Sequence, residues 1–317
     1  MACSKVDCPS QIPSPLPPDV NPGPLLDMAT LRRHSGLTVI YDPPEATLDI
    51  VLVHGLMGDA YRTWQNEDRD VYWPKDFLCD DFKNARIMVF GYDVAVWHPW
   101  NQVSQGWLSG YAADLLGSLS GCRSNNHKTR PIVFIAHSLG GLVVQQALIA
   151  ARESRMAHLR RIETHTVGIC FLGTPHRGAN LATWGERIAR VLNIFKPVNC
   201  HIVRLLDPGS HTLHELRRAF HNLLEKRKDE NSRIGIVCFY ETIPMVRSCV
   251  VSEQSATIDG EPSFPIFANH VDMAKFASRQ DNGYKSVIRE AQHMVSGMDS
   301  GYLCHGCGRL NHSKQGA

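Results

Sequence analysis

Ser138 lies in Ala136-His137-Ser138-Leu139-Gly140-Gly141, directly after the apolar run Pro131–Ala136 (PIVFIA) and before LVVQQALIAA. A serine hydroxyl is a weak nucleophile unless its Oγ is held clear of the backbone beside a base. A strained turn between a strand and a helix does this. Its flanking residues must be small, because the two backbones pass close together. Ala136 stands where the nucleophile-elbow pattern G-x-S-x-G has its first Gly, and it meets the size requirement almost as well. The helix start behind Ser138 adds positive potential where an oxyanion would develop. The spacing points to acyl transfer through Ser138, with the backbone N–H of Leu139 as one oxyanion donor.

Such chemistry needs a second donor, a base and an acid. Val53-His54-Gly55-Leu56-Met57-Gly58 follows the strand-like run LDIVLV, and the backbone N–H of Leu56 is assigned as the second donor of the oxyanion hole. The base is expected after the last strand, where His270 sits in FANHVDM ahead of a predicted helix. Glu241 directly ends the run Arg233–Tyr240 and is the expected acid, with Asp259 and Asp207 as rivals. The acid holds the imidazole tautomer and stabilises imidazolium without accepting the proton. The order Ser…acid…His is the one expected of an α/β-hydrolase. His54, His137 and His176 fall near this site on segments unsuited to the base, and are read as residues shaping a substrate pocket. Trp97, Trp100 and Trp107 cluster after FGYD, and Trp97 and Trp100 are candidate pocket walls. No metal or organic cofactor is needed. Cys304-His305-Gly306-Cys307, with His312 nearby, lacks the second paired motif that a four-ligand structural zinc normally requires.

The elements that must hold these residues follow from the apolar runs. Leu48–Val53, Ala85–Phe90, Pro131–Ala136, Thr166–Leu172 and Arg233–Tyr240 are rich in β-branched or aromatic residues without strict alternation. That pattern marks strands covered on both faces, hence a parallel sheet. Leu37–Tyr41 and Ser248–Ser252 are weaker strand candidates. Helices are predicted over Gly110–Leu119, Gly141–Arg152, Leu181–Phe195, Thr212–Lys226 and Gly283–Met294. The class is α/β: a mostly parallel central sheet, helices on both faces, and a helical insertion after the sixth strand. Residues 1–36 read as a Pro-rich disordered leader, 37–296 as the catalytic domain with 178–232 as a helical insertion or lid, and 297–317 as a tail. Pro131–Ala151 carries no charge and is long enough to span a bilayer. Its AHSLGG centre splits it into strand, turn and helix.

A net charge of +2 over 317 residues argues against nucleic-acid binding driven by bulk charge. The start MACSKVDCPS has neither a basic nor an apolar signal region, so an intracellular, cytoplasmic location is expected and the ten cysteines are read as thiols. Attachment to the periphery of a mitochondrial or endoplasmic-reticulum membrane is the alternative. Leu181, Trp184, Ile188, Val191, Leu192, Ile194 and Phe195 form the stripe on which membrane contact would rest. Oligomeric state is left open.

The set VLVHGLMGD, FGYD, RPIVFIAHSLGGLVVQQAL, FLGTPHRGA, FYET and NHVDMAKF resembles the serine-active-site-containing (SERAC-like) lipases of the α/β-hydrolase superfamily. The likeness runs from about residue 37 to 295, close at these motifs and loose in the insertion. It implies an α/β-hydrolase fold, a triad of Ser138, Glu241 and His270, and hydrolysis of a carboxylic ester or lipid through an acyl-enzyme. Ala136 departs from the family's usual Gly. Gly173-Thr174-Pro175-His176-Arg177-Gly178 corresponds to a loop that recurs beside the family's active site. Fungal members often stand at the N-terminus of multidomain proteins with nucleotide-binding and repeat regions. Competing readings are a thioesterase, which uses the same triad, and a catalytically weak or inactive interaction or signalling module that keeps the fold.

Overall fold

The computed structural model of the protein describes residues 35–55, 58–92, 107–123, 128–177, 211–245 and 249–299. In chain order the strands are β1 (Gly36–Tyr41), β2 (Leu48–Val53), the two-residue pair β3 (Gln65–Asn66) and β4 (Val71–Tyr72), β5 (Ala85–Gly91), β6 (Ile132–His137), β7 (Thr166–Leu172), β8 (Gly235–Glu241) and β9 (Ser263–Ile266). The helices are α1 (Trp73–Asp76), α2 (Leu78–Asp81), α3 (Trp107–Cys122), α4 (Leu139–Glu153), α5 (Ala157–Thr164), α6 (His211–Asp229), α7 (Glu253–Ala256) and α8 (Asn282–Asp299).

Seven strands form one sheet in the order β1-β5-β2-β6-β7-β8-β9. Only β1 runs antiparallel, along β5; the other five pairings are parallel. The strands β2, β5 and β6 are buried along their whole length, as runs dominated by apolar residues require, with Asp49 in β2 and Arg86 in β5 as buried charged residues. Successive side chains point to opposite faces. Val51, Val53, Phe90, Phe134, Phe171 and Cys238 enter one core with α3, α4 and α6. Ile50, Leu52, Val89, Ile135, Cys170 and Phe239 enter the other, with Trp73, Phe276 and α8. Each fully buried aliphatic side chain here stabilises the fold by about 1.5–3 kcal/mol.

Chain direction creates the crevice. From β2 the chain moves outward to β5, then returns to β6 on the other side of β2. Loops leaving β2 and β6 therefore diverge at the carboxyl ends of the strands, where an open α/β sheet holds its site. The charge-free stretch 131–151 resolves into β6, the turn at Ser138 and α4. No helix among the described residues is long and apolar enough to cross a membrane.

Two expectations change. The strand expected over Ser248–Ser252 is not formed by its described residues: 249–252 form a bend, and the last strand among the described residues is β9, parallel to β8. Pro265 in β9 lacks an N–H, which an edge strand tolerates. The insertion 178–232 follows β7, the fifth strand of the large sheet in chain order rather than the sixth. Within it, α6 matches the predicted helix over Thr212–Lys226, while Leu181–Phe195 and its apolar stripe lie outside the described residues. So do the leader to residue 34 and the tail from residue 300 with its Cys304–Cys307 motif.

Candidate active site

Ser138 sits between β6 and α4 with φ 53° and ψ −126°, a conformation that costs an L-residue about 1–3 kcal/mol. The surroundings hold it there. Its N–H donates to Leu172 O at 2.8 Å, its carbonyl accepts from Gly141 N–H at 3.1 Å, and the Thr174 hydroxyl donates to the same carbonyl at 3.0 Å. A Cβ on Gly140 would fall 2.3 Å from His54 O and 2.5 Å from Val53 O. The elbow therefore lies directly against the end of β2, which is the close approach the small residues were expected to serve.

The elbow brings the three chemical groups together. His270 Nε2 lies 2.9 Å from Ser138 Oγ, and His270 Nδ1 lies 2.5 Å from Glu241 Oε2. The other oxygen of Glu241 accepts the N–H of Val250 and, at 3.2 Å, the N–H of Val251. Those two N–H groups belong to the segment expected to be a strand; they close on the carboxylate instead of joining a ladder. The carboxylate draws the imidazole proton to Nδ1, so Nε2 is left as the acceptor facing the Ser138 hydroxyl. All three side chains are buried. The rival acid Asp259 is exposed and pairs with Arg177 and Arg217; Asp207 lies outside the described residues.

The oxyanion region is described on both sides of Ser138. Leu139 is the first residue of α4, so no preceding helical turn takes its N–H. On the other side, a Cβ on Gly55 would stand 2.6 Å from Ser138 Cβ and 3.2 Å from Ser138 Oγ. The backbone of the His54-Gly55 turn thus reaches the serine. Leu56, the residue assigned the second donor, lies just outside the described residues.

The three framing histidines are buried, and their ring nitrogens meet protein groups. His54 Nε2 accepts the N–H of Tyr92 at 3.1 Å, so Nδ1 carries the proton and donates to Gly55 O at 2.8 Å. Tyr92 stacks on this ring at 4.2 Å and donates its hydroxyl to His54 O at 2.6 Å. Burial lowers the His54 pKa to about 4. His137 Nε2 donates to His270 O at 2.8 Å, and burial lowers its pKa to about 3. It braces the backbone of His270. His176 Nδ1 accepts from the Gln145 amide at 2.8 Å, with its pKa lowered by burial to about 3. Sequence reasoning quoted FGYD without giving Tyr92 a task, and missed Thr174, Val250 and Val251, whose roles depend on contacts between distant segments. Trp107 opens α3; Trp97 and Trp100 lie outside the described residues.

Cys170 and Cys238 are buried in β7 and β8. Burial raises both thiols, that of Cys238 to about 12, so they serve as small apolar groups. Cys79, Cys122, Cys170 and Cys238 are free thiols. Among the described residues no group of three His, Cys, Asp or Glu is placed to hold a metal ion.

Residues 46–193 match a family described as "Putative serine esterase (DUF676)". The chain is similar to Protein SERAC1 of Bos taurus, 29% identical over 278 residues covering 79% of this chain and 40% of that protein. It is likewise similar to Protein SERAC1 of Homo sapiens, 30% identical over 268 residues covering 77% and 39%. The chain thus spans about two fifths of the length of these relatives. Among solved structures, phospholipase PlaB from Legionella pneumophila superposes with a TM-score of 0.53 at 11% identity, covering 80% of this chain and 63% of that one. The chain has an α/β-hydrolase fold, and over residues 46–193 its sequence is similar to that family.

Proposed function

We propose that the protein is a serine ester hydrolase of the esterase or lipase type, with Ser138 as nucleophile, His270 as base and Glu241 as acid. His270 Nε2 takes the Ser138 proton as Oγ attacks the ester carbonyl. The tetrahedral oxyanion is held by the backbone N–H groups of Leu139 and Leu56. The imidazolium returns its proton to the leaving alcohol. Water, deprotonated by the same nitrogen, then releases the acid from the acyl-enzyme. The observation carrying this reading is the hydrogen-bonded series Ser138 Oγ–His270–Glu241, at 2.9 Å and 2.5 Å, on a serine held at positive φ. A scaffold has no need to maintain a strained serine opposite an oriented imidazole.

The test combines a fluorophosphonate probe with nitrophenyl esters and thioesters of increasing acyl length. Labelling and turnover are expected in the wild type and absent in Ser138→Ala. Equal labelling of the variant, or no labelling and no turnover in the wild type, overturns the proposal. Faster thioester than ester cleavage would place the activity among thioesterases. The proposed substrates are esters or lipids rather than nucleic acid. Peripheral membrane contact belongs to the same reading and is checked by co-sedimentation with vesicles.

A further inference from the structure

A second concave site lies outside the candidate triad. A cavity of about 370 Å³ opens between α6, the loop after β7 and the segment after α7. Its basic wall is built by sequence spacing. His214, Arg217, Arg218 and His221 recur at i, i+3, i+4 and i+7, so all four project from one side of α6 and line the cavity. Leu216 and Leu223 on the far side of α6 enter the core, and Phe220 and Leu224 lie between that side and the cavity, which fixes the rotation of the helix. Arg177 enters from the loop after β7. A single carboxylate, Asp259, faces these three guanidiniums and pairs with Arg177 and, at 3.4 Å, with Arg217.

The positive charge is incompletely matched. Among the described residues Arg218 has no ion partner, and the buried Nε of Arg177 has no hydrogen-bond partner. The floor is partly apolar, with Phe220, Leu224 and Ile258. Low-dielectric walls behind clustered cations strengthen the field inside a cleft. Guanidinium groups present planar pairs of donors that match tetrahedral oxyanions.

We propose that this cavity is a binding site for a phosphate-type anion, separate from Ser138, with Arg177, Arg217 and Arg218 as its recognition groups. Binding there reaches the candidate triad along the chain. His176 lines the cavity and its N–H donates to Thr174 O at 3.0 Å, while the Thr174 hydroxyl holds Ser138 O. The site does not depend on the esterase proposal, because none of the three triad residues lines it.

Isothermal titration of the 317-residue protein with inorganic phosphate, at low and high salt, tests this. Wild type is compared with Arg217→Gln/Arg218→Gln, with Arg218→Gln alone and with Ser138→Ala. Both arginines are exposed on α6, and an unchanged melting curve verifies that each variant is folded. We expect saturable binding that salt weakens, a loss of about tenfold or more in the double variant, and no change in Ser138→Ala. Hydrolysis of an uncharged short-chain ester without phosphate is expected to be the same in the arginine variants as in wild type. No saturable binding by the wild type at millimolar phosphate, or equal affinity in the folded arginine variants, overturns the proposal. Two further arms identify the source of the anion. Glycerol 3-phosphate reports soluble phosphoesters, and phosphatidylcholine vesicles with and without phosphatidic acid report a lipid headgroup. Arginine-dependent binding in either arm supports the site and names its ligand.

Discussion

Glu241 Oε2 lies 2.5 Å from His270 Nδ1 while its other carboxylate oxygen is held by the N–H groups of Val250 and Val251. The Glu241 carboxylate is therefore held at both oxygens, and the imidazole has one tautomer to adopt. Glu241→Gln keeps the size of the side chain but removes the charge that selects Nδ1–H. Turnover of an activated ester is expected to fall by about 10³- to 10⁴-fold, with fluorophosphonate labelling slowed in parallel. Less than a tenfold loss would mean that another group orients His270. Asp259 is a poor substitute, being occupied by arginines on the surface.

Gly55 is the point where the chain after β2 meets Ser138. Any Cβ there collides with Ser138 Cβ at 2.6 Å, and the serine cannot retreat because its N–H and carbonyl are both held. Gly55→Ala is expected to displace the oxyanion loop and lower kcat/KM by about 10²-fold or more. Circular dichroism should remain that of the wild type, since the collision is local. A fully active variant would show that the loop is not part of the oxyanion site.

The three framing histidines set the acid limb of stability. Burial lowers His54 to about 4 and His137 and His176 to about 3, from 6.5. In the unfolded chain each takes up a proton below pH 6.5, while in the folded protein each stays neutral until pH nears its own lower value. Their contribution is therefore intact above pH 6.5 and is lost progressively as pH falls towards 3 to 4. At pH 5 the unfolded chain holds about three more protons on these residues than the folded one. His137→Gln preserves an N–H donor for His270 O without a titrating ring. Urea unfolding between pH 7 and 5 should then show a slope reduced by about one proton, or about 1.4 kcal/mol per pH unit. Parallel slopes for variant and wild type would contradict the assignment.

Much of this geometry was legible in the residues themselves. The strands β2, β5, β6, β7 and β8 are runs dominated by apolar residues, because a sheet covered on both faces buries nearly every side chain. Ser138 was legible as a candidate because an elbow needs small neighbours between a strand and a helix, and His270 and Glu241 as candidates because chain order constrains them. The segment 248–252 misleads for a physical reason: its valines are buried, as in a strand, but their N–H groups cap a carboxylate. β9 is hidden by being four residues long with a proline in it. The cavity beside α6 requires Arg177 and Arg217, forty residues apart in sequence, to face one carboxylate at position 259. No local pattern encodes that.

At the end of the sheet opposite Ser138, Asp49 is fully buried and engages three arginines. Arg86 meets both of its oxygens at 3.0 Å, Arg130 meets one at 3.0 Å, and Arg123 meets the other. The arginines come from the start of β5, the residue after α3 and the approach to β6, so a single carboxylate ties together the amino ends of adjacent parallel strands. Arg86 and Arg123 also donate to the carbonyls of Cys122 and Arg130. Removing the carboxylate leaves three guanidiniums inside the protein without their shared counter-charge, and burial already lowers the pKa of Arg123. Asp49→Asn keeps the shape and removes only the charge. We expect it to lower the unfolding free energy by about 3–5 kcal/mol, the cost of an uncompensated buried charge, as read from denaturant midpoints. Turnover of the fraction that remains folded should be unchanged, because the cluster lies at the far ends of the strands that carry the site. A destabilisation below about 1 kcal/mol, in the range of an exposed ion pair, would mean that solvent reaches this cluster and that the strands do not rely on it.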